Sequence, residues 1–316
     1  MGRFHASKLA DDSSVEFAGC YDIAISKSEG IASEYKVTSF ENIESMLKNV
    51  DAVSIAVPTS EHHDVASRFL DHGIAVLLEK PISHDIETAE KLVALSESRK
   101  TVLQIGHSER FNPAFLAVQN GIRDPKFIET HRLAPFKGRG DDVAVIFDLM
   151  IHDLDLILAL TGSYPERTEA AGVAVITDTI DIANARLTFS NGCVANVTAS
   201  RISIKEMRKL RVFQKSGYTS IDMASREAEQ YVVAKSDDDS YRNAPVFGRF
   251  NLPDGRAVVR SDIEIPRGDN LRFEISSFME TVRGEHPAVV SGRDGLNVLR
   301  LATEIENRCG EYLKKL

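Results

Sequence analysis

The first 125 residues alternate between short apolar runs and stretches in which apolar side chains recur every three or four positions. The apolar runs are rich in β-branched residues, which favour strands, and the intervening spacing is that of one helical face. This order predicts parallel strands joined by helices in an open, doubly wound α/β sheet. The predicted strands are residues 15–21, 51–57, 75–78 and 101–105.

From about residue 126 a period-two alternation dominates, which predicts a large, mostly antiparallel sheet. A helical pattern over residues 146–160 interrupts it and ends at Gly162, a typical helix stop. Helices over 270–283 and 291–315 close the chain, and the Gly- and Pro-containing stretch 236–269 is predicted to be a long loop. We therefore predict two domains, 1–125 and 126–316. The predicted strands of the second domain are residues 126–133, 183–189, 193–199, 210–214, 220–223 and 229–234.

The chain has 316 residues, of which 43% are hydrophobic and 27% charged, so an ordinary globular protein is expected. The net charge, 38 − 47 = −9, argues against nucleic acid or an anionic membrane surface as a partner. No apolar run is long enough to span a membrane and the N-terminus is charged, so we expect a cytoplasmic protein. Cys20, Cys193 and Cys309 are far apart and outside metal-ligand spacing, so no metal site or disulfide framework is predicted.

The N-terminal residues carry part of a dinucleotide-binding pattern. Gly2 opens a predicted helix, and Asp22 lies 22 − 2 = 20 residues later at the end of a predicted strand. That spacing fits the third glycine of GxGxxG and the acid that binds the ribose. Asp22 favours NAD over NADP, because a carboxylate repels a 2′-phosphate; its alternative role is a turn residue. Since the first strand and glycines are not in the sequence, we expect Met1 to be an internal methionine, and NAD binding by this chain is an open question.

The predicted helix over 146–160 carries a polar stripe. Asp148, His152 and Asp155 are spaced by four and three residues, so they fall within about 40° on one helical face. A solvated edge is the alternative, and a metal site is disfavoured because no further His or Cys stands at ligand spacing. The pKa of imidazole suits removal of a hydroxyl proton at neutral pH. We therefore predict that His152 is a general base oriented by Asp148.

Four segments together resemble the Gfo/Idh/MocA family of oxidoreductases. They are EKP at 79–81, AVPTSEHH at 56–63, GHSERFNP at 106–113 and DLMIHDLDL at 148–156, in the order and spacing of that family. The resemblance implies a Rossmann domain followed by an α/β domain with a large open sheet. One face of that sheet lines the active site and the other often joins subunits, which implies a homo-oligomer, a dimer or tetramer.

The same resemblance implies roles for individual residues. Lys80 is the catalytic lysine, and Asp148 and His152 lie at the substrate. The GHxERFNP form is most similar to the branch that oxidises C3 of UDP-N-acetylglucosamine or its uronate. The nicotinamide and its ribose are surrounded by Pro58, Thr59, His62 and Glu79.

We therefore expect NAD-dependent oxidation of a secondary hydroxyl, C3, of a nucleotide sugar. Lys80 either donates to the developing alkoxide or shares the role of base with His152. The alternatives are a dehydrogenase of a free sugar or polyol such as myo-inositol, a non-catalytic cofactor or sugar sensor, and an inactive truncated product.

An acidic protein that binds a diphosphate needs local cations, preferably arginine. The predicted substrate residues are Arg110, Asn112, Arg132 and Arg139, with Lys137 as a further cation. The basic run 201–215 is expected to be a solvated sheet face. His107 belongs to the site or supports its loop. The other histidines are expected to be surface or capping residues: His5, His63, His72, His84, His131 and His286.

Overall fold

A computed structural model gives the fold and describes residues 1–136, 138, 143–235, 250–251, 256–261 and 263–314. The chain forms two compact units. Unit 1 comprises residues 1–108 and 269–299, and unit 2 comprises residues 109–268 and 300–316. The segment 269–299 thus lies in unit 1, whereas the sequence analysis places it in the second domain.

The strands of unit 1 are parallel, as predicted. A pair formed by β1 (Gly19–Cys20) and β2 (Thr38–Ser39) is separate from a sheet of order β3-β4-β5, formed by β3 (Ala52–Ile55), β4 (Ala75–Glu79) and β5 (Leu103–Gly106). The doubly wound order places one strand between β1 and β3. The predicted strand over 15–21 is reduced to its residues 19 and 20.

Helices pack against the sheets of both units. The last α-helix but one, α8, packs Ile275 and Phe278 onto Ala75 and Leu77 of β4, and this apolar contact explains why its segment belongs to unit 1. Helix α7 ends at Thr161, followed by Gly162 in the left-handed conformation, as predicted. A π-helical turn, Ile146–Met150, precedes α7, and 3₁₀ turns lie at Thr59–Glu61 and Ser108–Phe111. The α-helices are α1 Gly2–Asp11, α2 Ile25–Tyr35, α3 Ile43–Met46, α4 His62–Asp71, α5 Ile86–Arg99, α6 Pro113–Gln119, α7 Ile151–Thr161, α8 Asn270–Val282 and α9 Gly292–Leu313.

Unit 2 contains a large mixed sheet, nine-stranded in the described residues, in the order β13-β14-β12-β11-β10-β6-β9-β8-β7. Every pair is antiparallel except β6 with β9, so the prediction of a mostly antiparallel sheet is confirmed. The strands are β6 Phe127–Leu133, β7 Arg167–Val173, β8 Ile182–Thr188, β9 Val194–Ser200, β10 Met207–Gln214, β11 Gly217–Asp222, β12 Glu227–Lys235, β13 Phe250–Asn251 and β14 Arg256–Ser261. Three of these, β7, β13 and β14, were not predicted.

The two faces of this sheet differ. One is buried, with Ile128, Val197 and Leu210 almost fully inaccessible, and α7 packs on it against β6 and β9. The other face carries a row of aromatic rings across β6, β10, β11 and β12, here called the aromatic ladder. Its ring centroids are 5.9 Å apart for Phe127–Phe213, 4.7 Å for Phe213–Tyr218 and 6.1 Å for Tyr218–Tyr231. Cross-strand aromatic pairs of this kind stabilise a sheet.

Within the described residues, no helix is long and apolar enough to cross a membrane, and no group of three or more His, Cys, Asp or Glu could hold a metal ion. All three cysteines are free thiols. Burial raises the pKa of Cys193 and of Cys309 to about 11, so these two thiols stay protonated and unreactive at neutral pH.

Candidate active site

The loop that carries Lys80 leaves the carboxyl end of β4. Glu79 is the last residue of the strand, and its Oε1 lies 2.8 Å from Nε2 of His5 on α1. The Nδ1 of His5 lies 2.7 Å from Oγ of Ser54 on β3. His5 is only 3% exposed, so the expectation of a surface or capping residue was wrong. Three elements of unit 1 therefore meet at a buried imidazole that contacts Glu79, the residue before Lys80.

A second histidine fastens the other side of this loop. His62 is 1% exposed; its Nδ1 lies 2.9 Å from the carbonyl oxygen of Pro81 and its Nε2 lies 3.1 Å from that of Val57. Burial lowers the pKa of His62, against the opposing effect of these two backbone contacts. Both ring nitrogens face protein carbonyls, which does not fit the predicted place beside the nicotinamide. The structure makes His62 a clamp between the loops that follow β3 and β4.

The two loops that His62 connects also carry solvent-accessible residues. Pro58 is exposed and Thr59 half-buried at the carboxyl end of β3, and Lys80 is half-buried at the end of β4. The carboxyl ends of parallel strands meet at one edge of a sheet, where open α/β folds bind their ligands. Pro58, Thr59 and Lys80 thus lie at the edge where a dinucleotide is expected.

The residues at the start of the chain fit a dinucleotide. Helix α1 begins at Gly2 without a side-chain cap, and a Cβ at Gly2 would meet no described atom within 4 Å apart from its chain neighbours. An uncapped N-terminus with open space can take a pyrophosphate. Asp22 follows β1, and its Oδ1 accepts a 2.8 Å hydrogen bond from the amide of Ala24, so the turn role is realised. Ile23, 90% exposed, offers an apolar surface beside that carboxylate for an adenine ring.

The helix that carries Asp148 and His152 departs from the predicted geometry. The π-helical turn 146–150 widens the hydrogen-bonding pattern and shifts the residues after it around the helix axis. Asp148 and His152 are half-buried, but Asp155 is fully buried and bound to Arg110. The π turn therefore offsets Asp148 from His152 and Asp155, which keep their three-residue spacing within α7, so the predicted stripe over all three residues is interrupted at the turn. A π turn is frequent at functional sites, and here it lies at Asp148.

Two arginines predicted to bind substrate are engaged inside unit 2. Arg110 donates from Nε and Nη2 to both carboxylate oxygens of Asp155, at 2.9 Å and 2.6 Å. Arg132 donates to Asp153 at 2.8 Å and to Glu109 at 3.0 Å. We call these five residues the arginine network. The two carboxylates raise the pKa of Arg132 against the opposing effect of burial.

The arginine network corrects the predicted diphosphate site. Bidentate, buried ion pairs leave Arg110 and Arg132 poorly placed to receive another anion. Asn112 is also structural, since it caps α6 by accepting from the amide of Ala114 and donates to Glu109 and to the carbonyl of Met223. Arg139 and Lys137 lie outside the described residues.

A further cluster, missed by the sequence analysis, holds the segment before the helix that carries Asp148 and His152. Asp181 accepts from the amides of Val175, Ile176 and Thr177 at 2.7, 2.7 and 3.0 Å. Burial acts to raise its pKa, but these amides outweigh it and lower the pKa to about 2.

Arg201 connects this loop to the helix. Its guanidinium donates to the carbonyl oxygens of Val143 and Ile180, and the carbonyl of Ile180 accepts from the amide of Val145 at 2.9 Å. No local pattern connects Asp181 with residues 143–145, so this cluster could not be predicted from the sequence.

Comparisons with known proteins agree with this architecture. Residues 1–107 match the model of the oxidoreductase family with an NAD-binding Rossmann fold, and residues 125–219 match the Gfo/Idh/MocA C-terminal domain. A UDP-N-acetylglucosamine 3-dehydrogenase of Acidithiobacillus ferrooxidans is 36% identical over 100% of this chain and 96% of its own length. An inositol 2-dehydrogenase of Rhizobium meliloti is 25% identical over 96% of this chain and 92% of its own length.

Solved structures extend the agreement to the fold. The UDP-N-acetylglucosamine 3-dehydrogenase of A. ferrooxidans superposes with a TM-score of 0.86, at 35% identity over 99% of this chain and 95% of that chain. A scyllo-inositol dehydrogenase from Lactobacillus casei, solved with NAD(H) and scyllo-inositol, gives 0.75 at 18% identity over 98% of this chain and 94% of that chain, which shows the shared fold alone. The chain is a member of the Gfo/Idh/MocA family of oxidoreductases, with an NAD-binding Rossmann domain.

Proposed function

We propose that this protein uses NAD to oxidise the C3 hydroxyl of UDP-N-acetylglucosamine. The observation that carries the proposal is the 36% identity to a UDP-N-acetylglucosamine 3-dehydrogenase over essentially the full length of both proteins. The inositol dehydrogenase matches over a similar length at only 25% identity, which favours the nucleotide sugar over a free polyol. Lys80, Asp148 and His152 are all present, which favours an active enzyme over a sensor or an inactive truncated product.

The proposed chemistry divides among three side chains. His152 accepts the proton of the C3 hydroxyl, and Asp148 orients the imidazole. Lys80 donates a hydrogen bond to the oxygen as it gains negative charge. NAD, when bound, supplies the acceptor for the hydride that leaves C3.

The diphosphate needs cations other than the two buried arginines. Of the residues predicted for that role, Arg139 and Lys137 are the candidates that the arginine network does not engage. Both belong to the segment that leads to the catalytic helix, and charge-assisted contacts there would anchor the nucleotide.

The test compares UDP-N-acetylglucosamine, its uronate form, free N-acetylglucosamine and myo-inositol as substrates with NAD, followed by NADH absorbance. We expect kcat/KM for a UDP-sugar to exceed that of the free sugars by about a hundredfold or more, since the diphosphate contributes binding energy. Equal turnover of myo-inositol would establish the polyol alternative. Binding of NADH and sugar without turnover would establish the sensor.

We also propose that the aromatic ladder joins two copies of the chain. Phe213 is 38% exposed within this row of rings, and aromatic residues are enriched at subunit interfaces. Sedimentation velocity tests the proposal with Phe213→Lys, which should convert a dimer into a monomer. Tyr312→Lys on α9, equally exposed at 38%, is the matched control and should leave the dimer intact. A wild-type protein that sediments as a monomer would exclude this interface.

We place the protein in the cytoplasm. Three free cysteines suit a reducing compartment, and NAD is the proposed cofactor. Fractionation of the producing cell tests the location.

A further inference from the structure

We propose that His5 is a positioning residue for Lys80 that acts through Glu79. The proposal concerns how the Lys80 loop is held, and it rests on the proposed function for its kinetic test. The carrying observation is the hydrogen-bonded chain Ser54–His5–Glu79, with distances of 2.7 Å and 2.8 Å. It links α1, β3 and β4, and the His5 and Glu79 side chains are only 4% and 13% exposed.

Glu79 is confined on two sides. On one side its carboxylate meets His5. On the other, Gly106 of β5 approaches so closely that a Cβ there would lie 3.3 Å from Glu79 Cα and 3.4 Å from Oε2. A largely buried carboxylate needs a hydrogen-bond partner, so losing the imidazole would drive the side chain to seek another. Because the pairing of β4 with β5 ends at Glu79 and Gly106, that movement would displace the backbone at Glu79.

Lys80 follows Glu79 directly, so a displaced Glu79 backbone moves the Lys80 Cα, which is about 3.8 Å away along the chain. Misplacement of a reacting group by about 1 Å can cost about a hundredfold in rate. The next residue, Pro81, is held separately because its carbonyl oxygen lies 2.9 Å from His62. The Lys80 position is therefore fixed before it by His5 and after it by His62.

Ser54 sets the orientation of the imidazole. A hydroxyl can donate to Nδ1, which leaves the ring proton on Nε2, directed at Glu79. If the ring is protonated, Nε2 still donates to Glu79 and Nδ1 donates to the Ser54 oxygen. In both states Nε2 still donates to Glu79. The loss of Ser54 should therefore lower kcat less than the loss of His5.

The kinetic test uses His5→Ala, His5→Gln and Ser54→Ala, with His72→Ala as the matched control. His72 is an exposed histidine of the same unit whose Nδ1 lies 2.8 Å from the carbonyl of Arg68. We expect His5→Ala to lower kcat about tenfold or more while KM for NAD changes less than threefold, because the cofactor contacts stay in place. His5→Gln, whose amide can reach Glu79, should restore most of kcat. Ser54→Ala should lower kcat a few-fold, and His72→Ala should leave kcat unchanged.

A folded His5→Gln as slow as His5→Ala, or a His5→Ala whose kcat matches His72→Ala, would overturn the proposal. An equal fall in stability for both His5 variants with no kcat rescue would also reduce His5 to a packing residue. If His5→Ala does not fold, His5→Gln and Ser54→Ala decide. Positioning requires His5→Gln to keep most of the wild-type kcat and Ser54→Ala to lose a few-fold, and a Ser54→Ala with the wild-type kcat would overturn the proposal.

Backbone hydrogen exchange separates this inference from the proposed function. If no tested sugar is oxidised by the wild type, the function fails, but peptides covering residues 76–84 still report on the loop. His5→Ala should raise exchange there and not in peptides of α4, and His5→Gln should not. Unchanged exchange over 76–84 in His5→Ala would refute the positioning role whatever the substrate. NADH fluorescence titration should give Kd values within a few-fold for all four variants.

Discussion

The two segments that carry the candidate catalytic groups are held by different chemistry. In unit 1 the Lys80 loop is held by two buried imidazoles, His5 and His62. In unit 2 the helix with His152 is held by the arginine network, in which Arg110 and Arg132 face buried carboxylates. Guanidinium keeps its charge at any pH a cell provides, whereas imidazole changes charge near neutrality. Of these contacts, the ones that His62 makes, whose pKa burial lowers, are thus those that pH can alter.

The energetic consequences also differ. Buried ions are costly unless every charge has a partner, so removing one member of the arginine network leaves the others uncompensated. A buried neutral imidazole carries no such penalty, and its loss removes hydrogen bonds of about 1 kcal/mol each. Substitutions in unit 2 should therefore affect stability most, and those around Lys80 should affect rate most.

The largest effect is expected for Arg132→Met. The substitution keeps the apolar volume but leaves Glu109 and Asp153 buried without the Arg132 guanidinium, and the half-exposed Arg208 lies 3.7 Å from Glu109. Loss of one partner of a buried ion pair costs about 3–5 kcal/mol, which urea denaturation at pH 7 measures.

Arg211→Met is the matched control for that experiment. Arg211 pairs with Glu129 at 3.3 Å on the open face of the same sheet and is 46% exposed. An exposed pair contributes less than about 1 kcal/mol. If Arg132→Met and Arg211→Met lower the free energy of unfolding equally, burial does not determine how much these ion pairs stabilise the protein.

The next effect is on rate. Lys80→Ala and His152→Ala should each lower kcat about a hundredfold, or about 2.7 kcal/mol in activation free energy, while NAD affinity stays within a few-fold. His131→Ala, a half-buried histidine on β6, should be indistinguishable from wild type. If His152→Ala retains its activity across neutral pH, the base is Lys80 and not His152.

A smaller effect is expected at the loop before β8. Asp181→Asn replaces a charged acceptor with a neutral one and so weakens its hydrogen bonds. Hydrogen bonds to a charged group contribute about 1.5–3 kcal/mol to stability. Because the pKa of Asp181 in the folded protein is about 2, below the usual 3.8, its contribution is present above about pH 4 and is lost as the pH falls toward 2.

Thermal denaturation between pH 2 and pH 7 tests this dependence. Asp178→Asn is the control, since Asp178 is exposed in the same loop. We expect Asp181→Asn to lower Tm at pH 7 and to lose that difference at pH 2. A difference from wild type that is as large at pH 2 as at pH 7 would contradict the assignment.

Much of the fold could be predicted from local patterns. The apolar runs located β1, β3, β4 and β5 of unit 1 but not β2, and Gly162 marked the end of α7. Strand β7 was missed because Arg167–Val173 lies at the edge of its sheet and buries only Thr168 and Gly172, too little apolar area for a period-two signal. An edge strand pairs along one edge and leaves the other open to solvent, so the same cause makes such strands hard to predict in general.

The site could be predicted only in part, because motif and composition identify residue types without their partners. Arg110 and Asp155 are 45 positions apart, and His5 and Glu79 are 74 apart. Arginines in a sugar dehydrogenase suggest a diphosphate, and a lone histidine suggests a surface residue, until the fold brings carboxylates to both. The π-helical turn likewise has no periodicity signal, so the offset of Asp148 from His152 and Asp155 could not be predicted.

The smallest effect, and the sharpest probe of the comparison, is the pH dependence that His62 contributes. Burial lowers the pKa of His62 below the usual 6.5, so the unfolded chain takes up the proton first and stability falls as the pH drops below about 6.5. Between pH 7.5 and pH 5.5 this amounts to no more than about 1.4 kcal/mol. Urea denaturation at both pH values should show wild type losing more stability than His62→Gln, whereas the exposed-histidine variant His72→Gln should follow wild type.

The change of the unfolding free energy with pH also shows whether His62 is charged. Both of its ring nitrogens face carbonyl oxygens. Only an imidazolium can donate to both, whereas a neutral ring donates to one. A wild type that gains stability relative to His62→Gln as the pH falls would show that these two acceptors outweigh burial and hold the ring charged. The Lys80 loop would then be held, like the helix in unit 2, by a buried cation, and the contrast between the two units would disappear.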